Sequence, residues 1–386
     1  MDISNFKNST AGKVIKTDRE YWAYLPNPLP PAITYDKELI NLLSEADRIL
    51  GNLSGIGTLL PNPDLLITPY VKREAVLSSK IEGTQASLSD LFYFEAAGKE
   101  EREKEAKTTD ILEVVNYVKA MNYGIKRLKE LPLCLRLIRE IHKELMHKVR
   151  GEHLTPGEFR RSQNWIGPAG CTLDNASFVP PPVHEMHEAL DKFEKFLHDK
   201  ESFPGLVQCA FMHYQFEAIH PFLDGNGRVG RLLITLFLCE REYLIYPLLY
   251  LSAFFEKNRR EYYERLLAVS QKGNWENWIK FFLRAVAHQS KDAIDNSKLI
   301  LSLLDKYRKM LREKRSSSYA LDLLEEIFLN PFVTISYAAK RLKTTYPTAK
   351  AAVDKLRECG ILAEASDKRW GKAYKAQELL KLLEKE

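Results

Sequence analysis

Apolar positions recur at helical spacing along most of this chain. The period runs through DKELINLLSEADRILGNL (36–53), DILEVVNYVKAMNYGIKRL (110–128), LCLRLIREIHKELMHKV (133–149) and VHEMHEALDKFEKFLHD (183–199). It returns in GLVQCAFMHYQFEAI (205–219), in 227–241 and in 258–291. Little of the chain alternates as a half-buried strand would. The predicted fold class is therefore mainly α.

Two regions depart from that pattern. RSQNWIGPAGCTLDNASFVPPP (161–182) carries the turn formers Gly167, Pro168, Gly170, Asp174 and Asn175 and ends in three prolines. Short apolar pieces around those turns suggest a small exposed β-hairpin, whose unpaired edge can accept a further strand. Taken alone, the segment reads first as an ordinary surface loop. The C-terminal part predicts three helices, in ALDLLEEIFLN (320–330), SYAAKRLK (336–343) and TTYPTAKAAVDKLRECG (344–360). Thr345 is placed as the N-cap of the third, Pro347 suits its first turn and Gly360 its C′ position. ILAEASDKRWGKAYKA (361–376) then alternates around DKRWG as a hairpin would. That order is the layout of a winged helix-turn-helix, with Lys350, Lys355, Lys368 and Arg369 as candidates to face phosphates. Such modules also serve in dimerisation or protein docking. KYRKMLREKRSSS (306–318) reads as a linker into this module, and GKEEREKEAKTTD (98–110) as a solvated loop or helix end.

Composition changes this picture little. The 386 residues, 45% hydrophobic and 28% charged, suit two or three ordinary globular domains. The longest nearly apolar run, YLIYPLLYLSAFF (243–255), has 13 residues with a Pro and a Ser. A bilayer span needs about 20, so no membrane association is expected. The N-terminus is polar and lacks a secretion signal. Five cysteines, odd in number and without CxxC spacing, suggest reduced thiols, a cytoplasmic location and no metal–thiolate site. His142/His147 and His184/His187 lack a third ligand or an HExxH pattern and read as surface helix residues. Residues 331–386 hold 12 Lys/Arg against 7 Asp/Glu, which accounts for the whole net charge of +5. Any contact with a polyanion is expected at that end.

The candidate chemistry is concentrated in HPFLDGNGRVGR (220–231), which separates two predicted helices. Glycines there let backbone N–H groups converge, and the N-terminus of the second helix adds partial positive charge, making an anion site. Arg228 and Arg231 share one helix face and suit a di- or triphosphate. Asp224 beside the nest makes sense if Mg²⁺ bridges it to the phosphates. His220 is then close enough to take a proton from an attacking hydroxyl. Each feature has an ordinary explanation, as a helix end, a turn or a solvated face. Together they describe transfer from a nucleoside triphosphate.

The same twelve residues resemble the signature of the Fic family, HxFx(D/E)GNGRxxR, at every fixed position. The resemblance implies an all-helical Fic core that transfers AMP from ATP to a Ser, Thr or Tyr hydroxyl of a protein, with Mg²⁺. It implies His220 as base and Asp224 as metal ligand. Gly225, Asn226 and Gly227 would form the anion hole, Arg228 and Arg231 would bind phosphates, and Phe222 would be a buried anchor. Kinase relatives carry Lys at the second glycine, so Gly227 argues against that branch. PGEFRRSQNWIG (156–167) and the hairpin after it resemble the family's flap, which holds a target segment by strand addition, here over 161–182. FFEKNRREYY (254–263) loosely resembles the segment closing the adenine side, with Asn258 the candidate there. The domains implied are a helical region over 1–100, a catalytic domain over 101–305 and a winged helix-turn-helix over 316–386.

Upstream, VLSSKIEGTQ (76–85) contains Ser78, Glu82 and Gly83 in the family's inhibitory pattern (S/T)xxxE(G/N). Glu82 is expected to pair with Arg231 and remove the clamp for the terminal phosphate, leaving the α-phosphate misplaced for in-line attack. Two other readings stay open. The site could remove AMP from a target, or the chain could be a DNA-binding regulator that uses its Fic domain as a nucleotide sensor, with DNA held by 331–386. Self-modification and a homodimer are left open as well.

Overall fold

The structure is a computed structural model that describes residues 1–58, 62–98, 110–168, 170–365 and 373–385. The charge run at 98–110, apart from its ends Gly98 and Asp110, and the DKRWG turn with Lys368 and Arg369 lie outside the described residues.

Helices dominate, and two of them form the centre. α7 (Gly205–Ile219) is mostly apolar and buried on every side, its polar Gln208, His213 and Gln215 included, and only Glu217 escapes full burial. α8 (Asn226–Glu240) follows after a short loop and packs against it. Around this pair lie α1 (Lys37–Thr58), α2 (Asp64–Ile81), α3 (Leu88–Ala96), α4 (Ile111–Arg127), α5 (Leu135–Leu145) and α6 (Val183–His198). α9 (Ser252–Lys257), α10 (Arg259–Lys272) and the long α11 (Trp275–Glu313) complete the core. α11 is pinned to α7 by Trp278, whose Nε1 donates to the Ala210 carbonyl at 2.9 Å.

The stretch 258–291, read as one helical run, is divided. Gly273 adopts φ 64°, its N–H closes on the Val269 carbonyl at 2.8 Å, and α10 ends there. The expected linker at 306–318 is mostly helix as well. α11 runs unbroken to Glu313 and buries Tyr307 and Leu311, so its basic residues are the solvent face of a packed helix.

β1 (Gly12–Lys16) and β2 (Trp22–Pro26) form an antiparallel hairpin that the sequence reading did not anticipate. It braces the segment 161–182: Tyr24 N–H donates to the Val179 carbonyl at 2.8 Å, and Tyr21 Oη to Gln163 Oε1 at 3.0 Å. The expected hairpin at 161–182 reduces to one antiparallel bridge, Ile166 with Phe178. Prolines at 168, 180, 181 and 182 remove the N–H groups a longer ladder would need.

The C-terminal part comprises α12 (Ser318–Leu329), β3 (Phe332–Val333), α13 (Ile335–Arg341), α14 (Tyr346–Glu358), β4 (Ala363–Glu364), β5 (Tyr374–Lys375) and α15 (Gln377–Leu383). Its strands form one antiparallel sheet in the order β3-β5-β4. Thr345 caps α14 through the Thr348 N–H, and Gly360 takes φ 70° after it. This part is docked rather than loosely tethered. Lys72 of α2 donates to the Leu329 carbonyl at 3.3 Å, Arg73 to that of Lys385 at 2.7 Å, and Asn330 to that of Phe92 at 3.0 Å. The two helices flanking Glu82, α2 and α3, are thus both held by the C-terminal part.

Candidate functional site

The loop between α7 and α8 is shaped by its glycine, its asparagine and its histidine. His220 ends α7 with φ 49° and ψ 61°, a left-handed conformation that costs a non-glycine residue about 1–2 kcal/mol. Neighbours hold it there. Its carbonyl accepts from Arg160 Nε at 3.0 Å and from Asn164 Nδ2 at 3.1 Å. Asn226 locks the other end, accepting from Phe222 N–H and donating to the Phe222 carbonyl, both at 2.8 Å. Gly225 takes φ 78°, and a Cβ there would press on Met146 Sδ.

The nest is therefore a backbone feature. As first-turn groups of α8, the N–H groups of Asn226, Gly227 and Arg228 have no carbonyl within the helix to bond, and they converge where the helix dipole is positive. The side chain of Asn226 is consumed in holding the loop. Phe222 is fully buried and stacks on His142, with centroids 3.7 Å apart and planes at 5°. Losing its ring would cost about 3–5 kcal/mol.

His142, read from sequence as a surface residue, is buried in this floor. Its Nε2 donates to the Asp224 carbonyl at 3.0 Å, and its Nδ1 accepts from Gly157 N–H at 2.9 Å. Burial holds its pKa down to about 4. His147, His184 and His187 are exposed, as expected.

His220 Nδ1 lies 3.2 Å from the Glu217 carbonyl, so that nitrogen carries the proton and Nε2 keeps its lone pair. Burial is the main reason its pKa falls to about 4, so the imidazole is neutral at physiological pH. The Asp224 carboxylate, 37% exposed, accepts from Gly225 N–H at 2.6 Å, and its other oxygen lies beside Gly151. One carboxylate shared with substrate phosphates is the usual way a protein holds Mg²⁺, and Asp224 fits that demand.

Arg231 is buried, and Glu82 sits on it. Arg231 Nη2 donates to Glu82 Oε1 at 2.8 Å, while Nε reaches Ser78 Oγ and Nη2 the Ser78 carbonyl, each at 2.9 Å. Ser78 and Glu82 are one helical turn apart, which puts both on the face of α2 that meets α8. Burial raises the pKa of Glu82, but the charge of Arg231 and its hydrogen bond outweigh this and leave it lowered. Gly83 follows at φ 99°, freeing the chain to turn away. A Cβ on Gly227 would overlap Glu82 Oε1, so the carboxylate lies directly over the nest.

The Asn258 amide donates to the Phe254 carbonyl at 2.9 Å, at the corner between α9 and α10. Tyr262 and Tyr263, a turn further on, are the residues of that stretch whose hydroxyls feel Arg231 and Glu82. Sequence reading also passed over Glu217, near Gly230, whose pKa burial lifts to about 7.

Arg160 was likewise unforeseen, although it lies in the quoted stretch EFRRSQNW. It is fully buried, and its donors go to the carbonyls of His220, Ser162 and Pro181, tying the 161–182 segment to the loop between α7 and α8. Replacing it with alanine removes one of the two donors to the His220 carbonyl and the side-chain donors to the carbonyls of Ser162 and Pro181. Arg160→Ala is expected to cost about 3–5 kcal/mol, seen as a lower midpoint in thermal unfolding. An unchanged midpoint would contradict this assignment.

Comparison with known proteins fits this geometry. The family model for the Fic/DOC family N-terminal region matches residues 40–126, which include Ser78 and Glu82. The Fic/DOC family model matches 132–238, which include the whole of 220–231. "Protein adenylyltransferase Fic" of Drosophila persimilis is 28% identical over 188 residues, covering 47% of this chain and 32% of that protein. Its counterpart from Aedes aegypti is 31% identical over 165 residues, covering 42% of this chain and 29% of the relative. These matches span about a third of the relatives' length. A Fic family protein from Desulfovibrio desulfuricans G20 shares the fold, with a TM-score of 0.56 and 19% identity over 90% of this chain and 98% of that one. No helix among the described residues is long and apolar enough to cross a membrane. The chain belongs to the Fic/DOC family.

Proposed function

We propose that this chain transfers AMP from ATP to a Ser, Thr or Tyr hydroxyl of a protein, and that Glu82 holds it inactive by occupying Arg231. The observation that carries the reading is the junction at the N-terminus of α8. A neutral histidine, an anion nest and a buried arginine meet there, and the arginine already grips a carboxylate in place of a phosphate.

In this reading the triphosphate lies across the nest formed by Gly225, Asn226 and Gly227, with Arg228 and Arg231 on its oxygens. His220 Nε2 accepts the proton of the attacking hydroxyl as that oxygen bonds the α-phosphorus, and the bond to the pyrophosphate oxygen breaks in line. Asp224 would hold Mg²⁺, which would neutralise phosphate charge when bound. Trp165 and Ile166, 41% and 37% exposed on the braced segment, offer the edge where an extended target strand would lie. Removing AMP through the same atoms gains no support from any one contact.

Residues 316–386 are read as a winged-helix module. The DNA-sensor reading is not favoured, because the two candidate cations among the described residues are already engaged. Lys350 pairs with Asp354 at 2.6 Å and Lys355 with Glu358 at 3.7 Å.

The test is mass spectrometry of Glu82→Gly protein incubated with ATP, Mg²⁺ and a cell lysate. Adducts of about 329 Da, one AMP, on Ser, Thr or Tyr are expected, and their absence rules the reading out. The pH profile offers a second check. The base must be neutral, and its pKa is about 4, so activity is lost only as pH falls toward that value. The rate should hold from about pH 8 to about pH 5, and halving near 6.5, where a free imidazole titrates, would contradict the assignment. Stability has the same sign: the unfolded chain protonates this histidine first, so its share is lost as pH falls from about 6.5 to about 4.

A further inference from the structure

Arg228 is held by a carboxylate that the motif does not contain. Glu113, in the first turn of α4, is buried, and its Oε2 accepts from Arg228 Nη1 at 3.3 Å and from Thr84 Oγ1 at 2.9 Å. Its Oε1 lies 3.8 Å from Arg150 Nε. Arg228 Nη2 lies 3.6 Å from Met146 Sδ and 3.8 Å from Asp224 Oδ1, which fixes the guanidinium beside the opening of the nest.

The two arginines of the motif are thus both paired, in different ways. The Glu82 side chain is 34% exposed at the edge of the site and can leave Arg231 for water. Glu113 is 5% exposed and cannot leave Arg228 without stranding a buried charge. An arginine fixed in this way loses little rotamer freedom when a phosphate arrives. Thr84 adds a link, because it stands two residues beyond Glu82 on the same turn out of α2 and is itself buried.

We propose that Glu113 is a positioning residue of the nucleotide site: it aims Arg228 at the phosphates, and Thr84 ties that aim to the segment carrying Glu82. The proposal rests on the reading of Arg228 as a phosphate ligand. Glu113 touches no substrate and acts only through Arg228, so its effect belongs to phosphate recognition and not to adenosine recognition.

The experiment is calorimetric titration of ATP and of adenosine into Glu82→Gly protein, alone and combined with Glu113→Gln or Thr84→Val. Glu113→Gln should weaken ATP binding about tenfold and leave adenosine within about twofold, and the loss should appear in KM for ATP rather than in kcat. Thr84→Val should shift ATP the same way by about threefold. An unchanged ATP affinity, or equal losses for ATP and adenosine, would overturn the proposal. If Glu113→Gln does not fold, Thr84→Val decides alone on the same criteria. If the Glu82→Gly parent transfers no AMP, the functional reading fails, while the two binding titrations still judge Glu113.

Discussion

Glu82→Gly should raise AMP transfer about a hundredfold over the unaltered protein, the equivalent of about 2.7 kcal/mol in the barrier. The gain has two sources in the geometry. Arg231 loses its 2.8 Å contact with Glu82 and is free to take the terminal phosphate. The carboxylate that overlies Gly227 also disappears, opening the nest to the anion it is built to hold. The fold should survive, because Arg231 keeps both bonds to Ser78 and the new residue stands at the last turn of α2. Mild acid should not imitate the substitution. The pKa of Glu82 is lowered, so the pair persists well below neutral pH and is lost only as pH falls through that lowered value. Incorporation of labelled AMP over time measures the effect, and equal rates for the two proteins would remove Glu82 as the brake.

His220→Ala, placed in the Glu82→Gly background, should lower transfer by about a thousandfold while ATP still binds. In the proposed mechanism His220 acts through its ring. Its backbone is fixed by Arg160 and Asn164 through the carbonyl, and those bonds persist in the variant. Alanine at φ 49° carries some strain, about 1 kcal/mol, too little to dismantle a loop also held by Asn226 and the buried Phe222. ATP affinity by calorimetry separates lost chemistry from lost binding. Undiminished transfer would remove His220 as the base.

Much of the site could be read from the chain because its parts are local or periodic. The motif spans twelve residues, and the pattern joining Ser78 to Glu82, which the family resemblance supplied, spans one helical turn. Much of what escaped reading depends on distant contacts. Arg160, Asn164, His142 and Glu113 act on the loop from far along the chain, and nothing in their own neighbourhoods marks a buried arginine or a stacked histidine. The hairpin at 12–26 escaped although its ladder, Gly12–Lys16 against Trp22–Pro26, is local. Basic residues misled at 306–318, where charge on the outer face of α11 looked like the composition of a linker.

The most direct test of the account uses ATP labelled at the α-phosphate beside ATP labelled at the γ-phosphate, each incubated with Glu82→Gly protein, Mg²⁺ and lysate. Transfer of AMP predicts that protein retains the α label and none of the γ label. Retention of the γ label, or of neither, would contradict it.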